Sequence, residues 1–148
     1  MDYFTGIVGQ ERAISLLKKS MDNANISHAY LFSGPAGGGK MQVAMAFAHS
    51  LINRQDKQAG LYFSENIHPD LLIIEKLENR SLISKEQITQ KLEPWLALKP
   101  YRAQRRVAII RDAHLMSLEA ANALLKTLEE PPGYVLIILI SDDDNLLE

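Results

Sequence analysis

The nine residues Ser33-Gly34-Pro35-Ala36-Gly37-Gly38-Gly39-Lys40-Met41 constrain this chain more than any other stretch. They follow an apolar run ending at Phe32 and lead into a helical pattern. Gly34, four intervening residues and Gly39-Lys40 have the spacing of a phosphate-binding loop. Glycines let successive backbone N–H groups turn inward with no Cβ in the way. Those groups form an anion nest, and the following helix adds its positive end. Residues Gly34, Pro35, Ala36, Gly37, Gly38, Gly39, Lys40 and Met41 are therefore the candidate nucleotide or phosphate site, with Lys40 reaching the terminal phosphates. The last position usually carries Ser or Thr, whose hydroxyl binds Mg²⁺; a Met41 thioether is a poor ligand for a hard cation. The loop has the right shape and the wrong last residue.

Around this loop the pattern alternates between strand and helix. Residues 29–32 read as a short buried strand, and Val43, Ala44, Phe47, Ala48 and Leu51 fall on one helical face after the loop. Residues 70–75 and 106–111 read as a second and a third strand, and 134–140 as a fourth. Residues 1–8 read as an extended arm, and Ala13, Leu16, Leu17, Met21 and Ala24 as a helix face. Ser84-Lys85-Glu86-Gln87 has the form of a capping box opening another helix, in which Pro94 predicts a kink or an early end. Ser117 is placed to cap a helix that Pro131-Pro132-Gly133 stops. The βαβ alternation predicts an α/β fold with a mostly parallel sheet and helices on both faces. Ligands of such sheets sit beyond the carboxyl ends of the strands, where the glycine loop, Arg111-Asp112 and Ser141 all fall.

The totals narrow the classes. A chain of 148 residues suits one domain, and a net charge of −2 leaves any nucleic-acid contact to local patches. There is no cysteine, so neither a disulfide nor a cysteine-based zinc site is open to it. The longest apolar run, residues 135–140, is too short to span a bilayer, and the first residues lack a signal-peptide pattern, so a cytoplasmic protein without membrane contact is expected.

Several stretches together resemble the AAA+ clamp-loader subunits of bacterial DNA polymerase III, and among them the delta-prime type. They are Val8-Gly9-Gln10-Glu11, His28-Ala29-Tyr30-Leu31-Phe32-Ser33-Gly34-Pro35, His68-Pro69-Asp70-Leu71 and, most specific, the thirteen residues from Ala120 through Asn122, Lys126 and Glu130 to Pro132. The resemblance implies a P-loop AAA+ module over residues 1–148, with strand order 5-1-4-3-2 and the fifth strand missing, as the N-terminal part of a longer protein with lid and collar domains beyond it. It implies work in DNA replication within a DNA-directed DNA polymerase holoenzyme. The partners would be the gamma/tau and delta subunits, with the sliding clamp and primer-template DNA reached through the complex.

This chain departs from the family pattern where hydrolysis is performed. An active member reads Asp-Glu-Ala-His after the third strand; this one reads Arg111-Asp112-Ala113-His114. The Walker B-like pair is thus Arg111 and Asp112. At an effective dielectric near 20 and about 5 Å, each unit of charge is worth roughly 3 kcal/mol, so exchanging carboxylate for guanidinium opposes a divalent cation. With Met41 it removes both metal-binding positions, and the expectation is a member without intrinsic ATPase activity and no catalytic residues. ATP or ADP could still be held as an anion without metal. Relatives carry four zinc-binding cysteines between residues 53 and 69; here His49 and His68 alone are near, and no zinc or other metal is expected.

Ser141 stands at the family's sensor-1 position. Ser84, Lys85 and Gln87 open a helix that in relatives faces DNA, so they are candidate DNA contacts. Arg102, Arg105 and Arg106 with Lys99 form a basic cluster that reads first as a solvated surface. Trp95 reads as core. The alternatives are an ATP-hydrolysing gamma/tau-like subunit or another P-loop NTPase, including a small-molecule kinase.

Overall fold

The computed structural model describes residues 28–33, 39–53 and 68–142. The extended arm 1–8, the helix face at Ala13 to Ala24, glycine-loop residues 34–38 and connection residues 54–67 lie outside the described residues.

Four parallel strands form one sheet: β1 (Ala29–Ser33), β2 (Leu71–Ile74), β3 (Arg106–Ile110) and β4 (Val135–Ser141). Their spatial order is β1-β4-β3-β2, so β4 lies between the first and third strands. This is the expected 1-4-3-2 sequence. Register pairs Ala29 with Ile137 and Ser33 with Ser141 on one side of β4, and Ile110 with Leu139 on the other.

Every residue of β3 and β4 is buried. That is why these strands are apolar without interruption: both faces are covered. Alternate residues serve opposite cores. Val107, Ile109, Leu136, Ile138 and Ile140 pack with α1 (Lys40–Asn53), around Val43, Phe47, Leu51 and Ile52. Ala108, Ile110, Val135, Ile137 and Leu139 face the other way, onto Ile88, Leu92, Leu96, Ala120 and Leu124. Ala44, Ala46 and Ala48 add little bulk on α1, and Phe47 meets the Tyr30 ring edge-on at 5.3 Å between centroids. β1 is different: Tyr30 and Phe32 are half-buried on the α1 side, while Ala29, Leu31 and Ser33 are exposed.

The second face carries the Pro94 helix. The capping box forms in both directions: Ser84 N–H donates to Gln87 Oε1 at 3.2 Å and Gln87 N–H to Ser84 Oγ at 3.3 Å. Gln87–Leu92 then runs as a π-helix, with the Glu93 N–H returning to Ile88 O, before α2 (Glu93–Ala97) resumes α geometry. Pro94 has no N–H for the carbonyl four residues back, and its ring crowds that carbonyl. A wider turn immediately before the proline relieves that crowding, and α2 ends at Ala97. The last helix, α3 (Leu118–Glu129), starts on Ser117, whose Oγ accepts the Ala120 N–H at 3.0 Å.

One buried carboxylate ties the edge of the sheet to its neighbouring loop. Asp70, fully buried, accepts the N–H groups of Tyr101, Arg102 and Ala103 at 2.6, 2.7 and 2.7 Å. Arg106 Nε lies 3.6 Å from Asp70 Oδ1, and the guanidinium also donates to Lys99 O and Trp95 O. Its Cζ sits 4.6 Å from the centroid of the half-buried Trp95 ring. The expectation of a solvated basic cluster is corrected for Arg106, which is buried and committed to the fold. Nothing in a count of charges distinguishes it from Arg102 or Arg105; its partner lies 36 residues away on the adjoining strand's entrance.

Candidate functional site

The carboxyl edge of the sheet gathers the site residues. Gly39 ends the glycine loop with φ +82°, a conformation that L side chains rarely adopt, and a Cβ there would stand 3.2 Å from Gln42 Oε1. Its carbonyl accepts the Val43 N–H at 3.1 Å, which starts α1. Lys40 is therefore delivered at the first position of the helix, at the end of the sheet where β1 and β4 finish. It is 8% exposed, and its Nζ meets Asp142 Oδ1 at 3.0 Å. Asp142 is the residue after Ser141, the buried last residue of β4.

Met41, the second residue of α1, is partly buried and packs against the core on that side of the sheet, as an unbranched apolar side chain does. Arg111 follows β3, stays half-exposed and directs Nη1 to Glu75 Oε2 at 3.8 Å. Exposed pairs of this kind contribute little to stability. Glu75, just beyond β2, is thus the carboxylate beside Arg111.

Asp112 adopts φ 56°, ψ 49°, a left-handed conformation that Asp tolerates better than most residues. A 3₁₀ turn, Ala113–Leu115, follows and brings His114 back to β4. Asp142 N–H donates to His114 Nδ1 at 3.2 Å, and His114 Nε2 lies 3.8 Å from Asp142 Oδ2. One ligand atom each of Asp112, His114 and Asp142 falls within 4.8 Å of the others. An imidazole that accepts at Nδ1 carries its proton on Nε2. In that tautomer Nε2 has no lone pair for a metal, and it presents N–H to the Asp142 carboxylate instead. The group nearest that carboxylate is the Lys40 ammonium, so the arrangement behaves as a hydrogen-bonded charge cluster.

The candidate DNA contacts separate into two kinds. Ser84 and Gln87 bond to each other, and buried Gln87 also donates to Glu75 O at 2.7 Å. Lys85 is exposed at the rim of an open cleft of about 360 Å³ lined by Arg80, Ser81, Ser84, Glu86 and Glu119 among others. His68 is buried, and its Nδ1 accepts the Asp70 N–H at 3.0 Å. Sequence reasoning missed Asp142 and Glu75. Each is an ordinary acidic residue in a polar stretch, and only the sheet places it against Lys40 or Arg111.

A parallel α/β sheet ordered 1-4-3-2, with a lysine at the start of the helix after β1, has the strand order expected of a P-loop AAA+ module. The family described as DNA polymerase III, delta subunit, matches residues 9–148, and the chain belongs to that family. It is similar to the tau subunit of DNA polymerase III of Bacillus subtilis, 32% identical over 148 residues, covering 95% of this chain and 26% of that protein. The tau/gamma subunit of Haemophilus influenzae is also 32% identical, over 158 residues, covering 97% and 22%. The chain spans about a quarter of the length of these curated relatives. A DNA polymerase III gamma subunit-related protein of Thermotoga maritima shares the fold at TM-score 0.66 and 24% identity, covering 95% of this chain and 41% of that one. So does the DNA clamp loader delta protein of Bacillus subtilis, at 0.61 and 12%, covering 91% and 38%. Among the described residues no helix is long and apolar enough to cross a membrane.

Proposed function

We propose that residues 1–148 act as a non-hydrolysing AAA+ module of the delta-prime type within a DNA polymerase III clamp loader. The module helps other subunits of the complex place a sliding clamp on primed DNA. The observation that carries this reading is the fate of the two metal-binding positions. Met41, partly buried on α1, packs against the core, and Arg111 pairs with Glu75. Neither presents an oxygen ligand to Mg²⁺, the ion that neutralises developing charge in phosphoryl transfer. The family match supports the clamp-loader assignment, and a cytoplasmic location is part of the same proposal.

The relatives named tau and gamma favour a second reading, an ATP-hydrolysing gamma/tau-like subunit. Two measurements decide between them. The first is calorimetric titration with ATP, with and without Mg²⁺, on the chain and on a Met41→Thr/Arg111→Asp variant. The proposal expects no Mg²⁺-dependent binding by the natural chain and a gain in the variant; tight Mg²⁺-dependent binding with turnover by the natural chain would establish the second reading. The second is reconstitution with gamma/tau and delta subunits, followed by clamp loading on primed DNA. Loss of loading when the chain is omitted supports a clamp-loader role, and undiminished loading removes it.

A further inference from the structure

We propose that the Asp142 carboxylate occupies the phosphate position of Lys40, so that this anion site is closed from within by the chain's own side chain. The occupant it excludes is the terminal phosphate of a nucleoside di- or triphosphate, or pyrophosphate. The inference rests on reading Lys40 as a phosphate-loop lysine. It does not depend on which complex the chain joins.

Four features of the edge carry it. First, a lysine ammonium as buried as Lys40 requires an anion close by, and the anion it meets at 3.0 Å is Asp142. Charge-assisted contacts of this length are the strong class of hydrogen bond. Second, Asp142 is held in place. Its N–H is anchored on His114 Nδ1, and the Nε2–H of the same ring faces Oδ2 of its carboxylate at 3.8 Å. The carboxylate therefore stands between Lys40 and His114. Third, Asp112 lies in the same cluster as Asp142, so a second carboxylate stands close to the one that meets Lys40. Fourth, the arginine at the neighbouring strand end is drawn to Glu75, away from the role of a second cation for phosphate. A phosphate must displace a resident carboxylate and tolerate a second one nearby.

The test is calorimetric titration of the full chain with inorganic pyrophosphate and with ADP, in metal-free buffer. The natural chain is compared with Asp142→Ala, Asp142→Asn and the double variant Lys40→Met/Asp142→Ala. Removing one charge-assisted competitor is expected to tighten pyrophosphate binding by roughly ten- to a hundredfold in Asp142→Ala. The double variant is expected to lose that gain, because the gain runs through Lys40. Equal affinity in the natural chain and Asp142→Ala, whether both bind or neither does, overturns the proposal. So does a gain that survives in the double variant, since it would arise elsewhere. Asp142 is 39% exposed at a strand end, and Asp142→Asn keeps its volume. If the alanine variant fails to fold, the same comparison is read from the asparagine variant, with fold checked by circular dichroism. Failure here leaves the clamp-loading reconstitution untouched, so the two readings fail separately.

Discussion

Asp70 is the residue on which most depends outside the candidate site. Three consecutive N–H groups, from Tyr101 to Ala103, converge on it as on a bound anion. Arg106 completes the cluster from the first position of β3. Removing one partner of a buried ion pair leaves a charge without compensation, at a cost of about 3–5 kcal/mol. Asp70→Ala is expected to lower the unfolding free energy, read from urea melts, by that much. Arg106→Lys is expected to be costly as well, because one ammonium cannot reach Lys99 O, Trp95 O and the Trp95 face together. A loss of unfolding free energy below about 1 kcal/mol for both variants would show that loop 101–103 is held by something other than this carboxylate. Chemically similar residues differ here through their surroundings alone: Arg106 is structural, whereas Arg111 is half-exposed beside Glu75.

Among the elements, the helical stretch that begins at the capping box shows how local signals combine. Ser84 and Gln87 form the reciprocal bonds that the spacing predicts. The tertiary structure adds a third bond, from Gln87 Nε2 to the carbonyl of Glu75 beyond β2. Loss of an N-cap side chain costs about 1 kcal/mol, so Ser84→Ala is expected to destabilise by that amount. Gln87→Ala removes a cap partner and leaves the Glu75 carbonyl without this donor, so it is expected to cost more than Ser84→Ala. Urea melts of the two variants check the order; equal costs would show that the bond to Glu75 contributes nothing. Pro94 predicts an irregularity, and the irregularity takes the form of a π-helix because one added residue per turn moves a carbonyl out of the proline ring's way. α1 follows its sequence more simply: Val43, Ala44, Phe47, Ala48 and Leu51, the expected inward positions, are all buried.

The described residues form a sheet held between two cores, and one contribution to the pH response comes from α1. His49, near the end of α1, has its pKa lowered from 6.5, first by burial and then by the neighbouring His68. A histidine depressed in the native state binds fewer protons there than in the unfolded chain. Its stabilising contribution is therefore present above about pH 6.5 and is lost as pH falls toward the lower native value. Urea midpoints are expected to fall as the pH drops below about 6.5, with a shallower fall in His49→Gln. An unchanged slope in that variant would assign the acid sensitivity to other groups. The same sheet supports the candidate site, since Lys40, Asp112 and Asp142 follow different strands and meet only because β1, β4 and β3 are neighbours.

By itself the sequence determined the class of the molecule. Short apolar runs specify buried strands, the glycine spacing specifies a strand-to-helix turn, and Ser84 and Ser117 mark where helices start. These are local or periodic signals, carried by residues that act on their own neighbourhood. The expectation of a lost magnesium site at Met41 and Arg111 is of the same local kind, because it rests on residue type alone. Tertiary structure decided the pairings: Lys40 with Asp142, Arg111 with Glu75, and Arg106 with Asp70. These partners lie 102, 36 and 36 residues apart in the chain. Charge attracts at a distance without sequence specificity, so a run of aspartates or arginines cannot declare its partner. Strand order and register make that choice, and they bring one carboxylate, Asp142, to the lysine that a phosphate would otherwise meet.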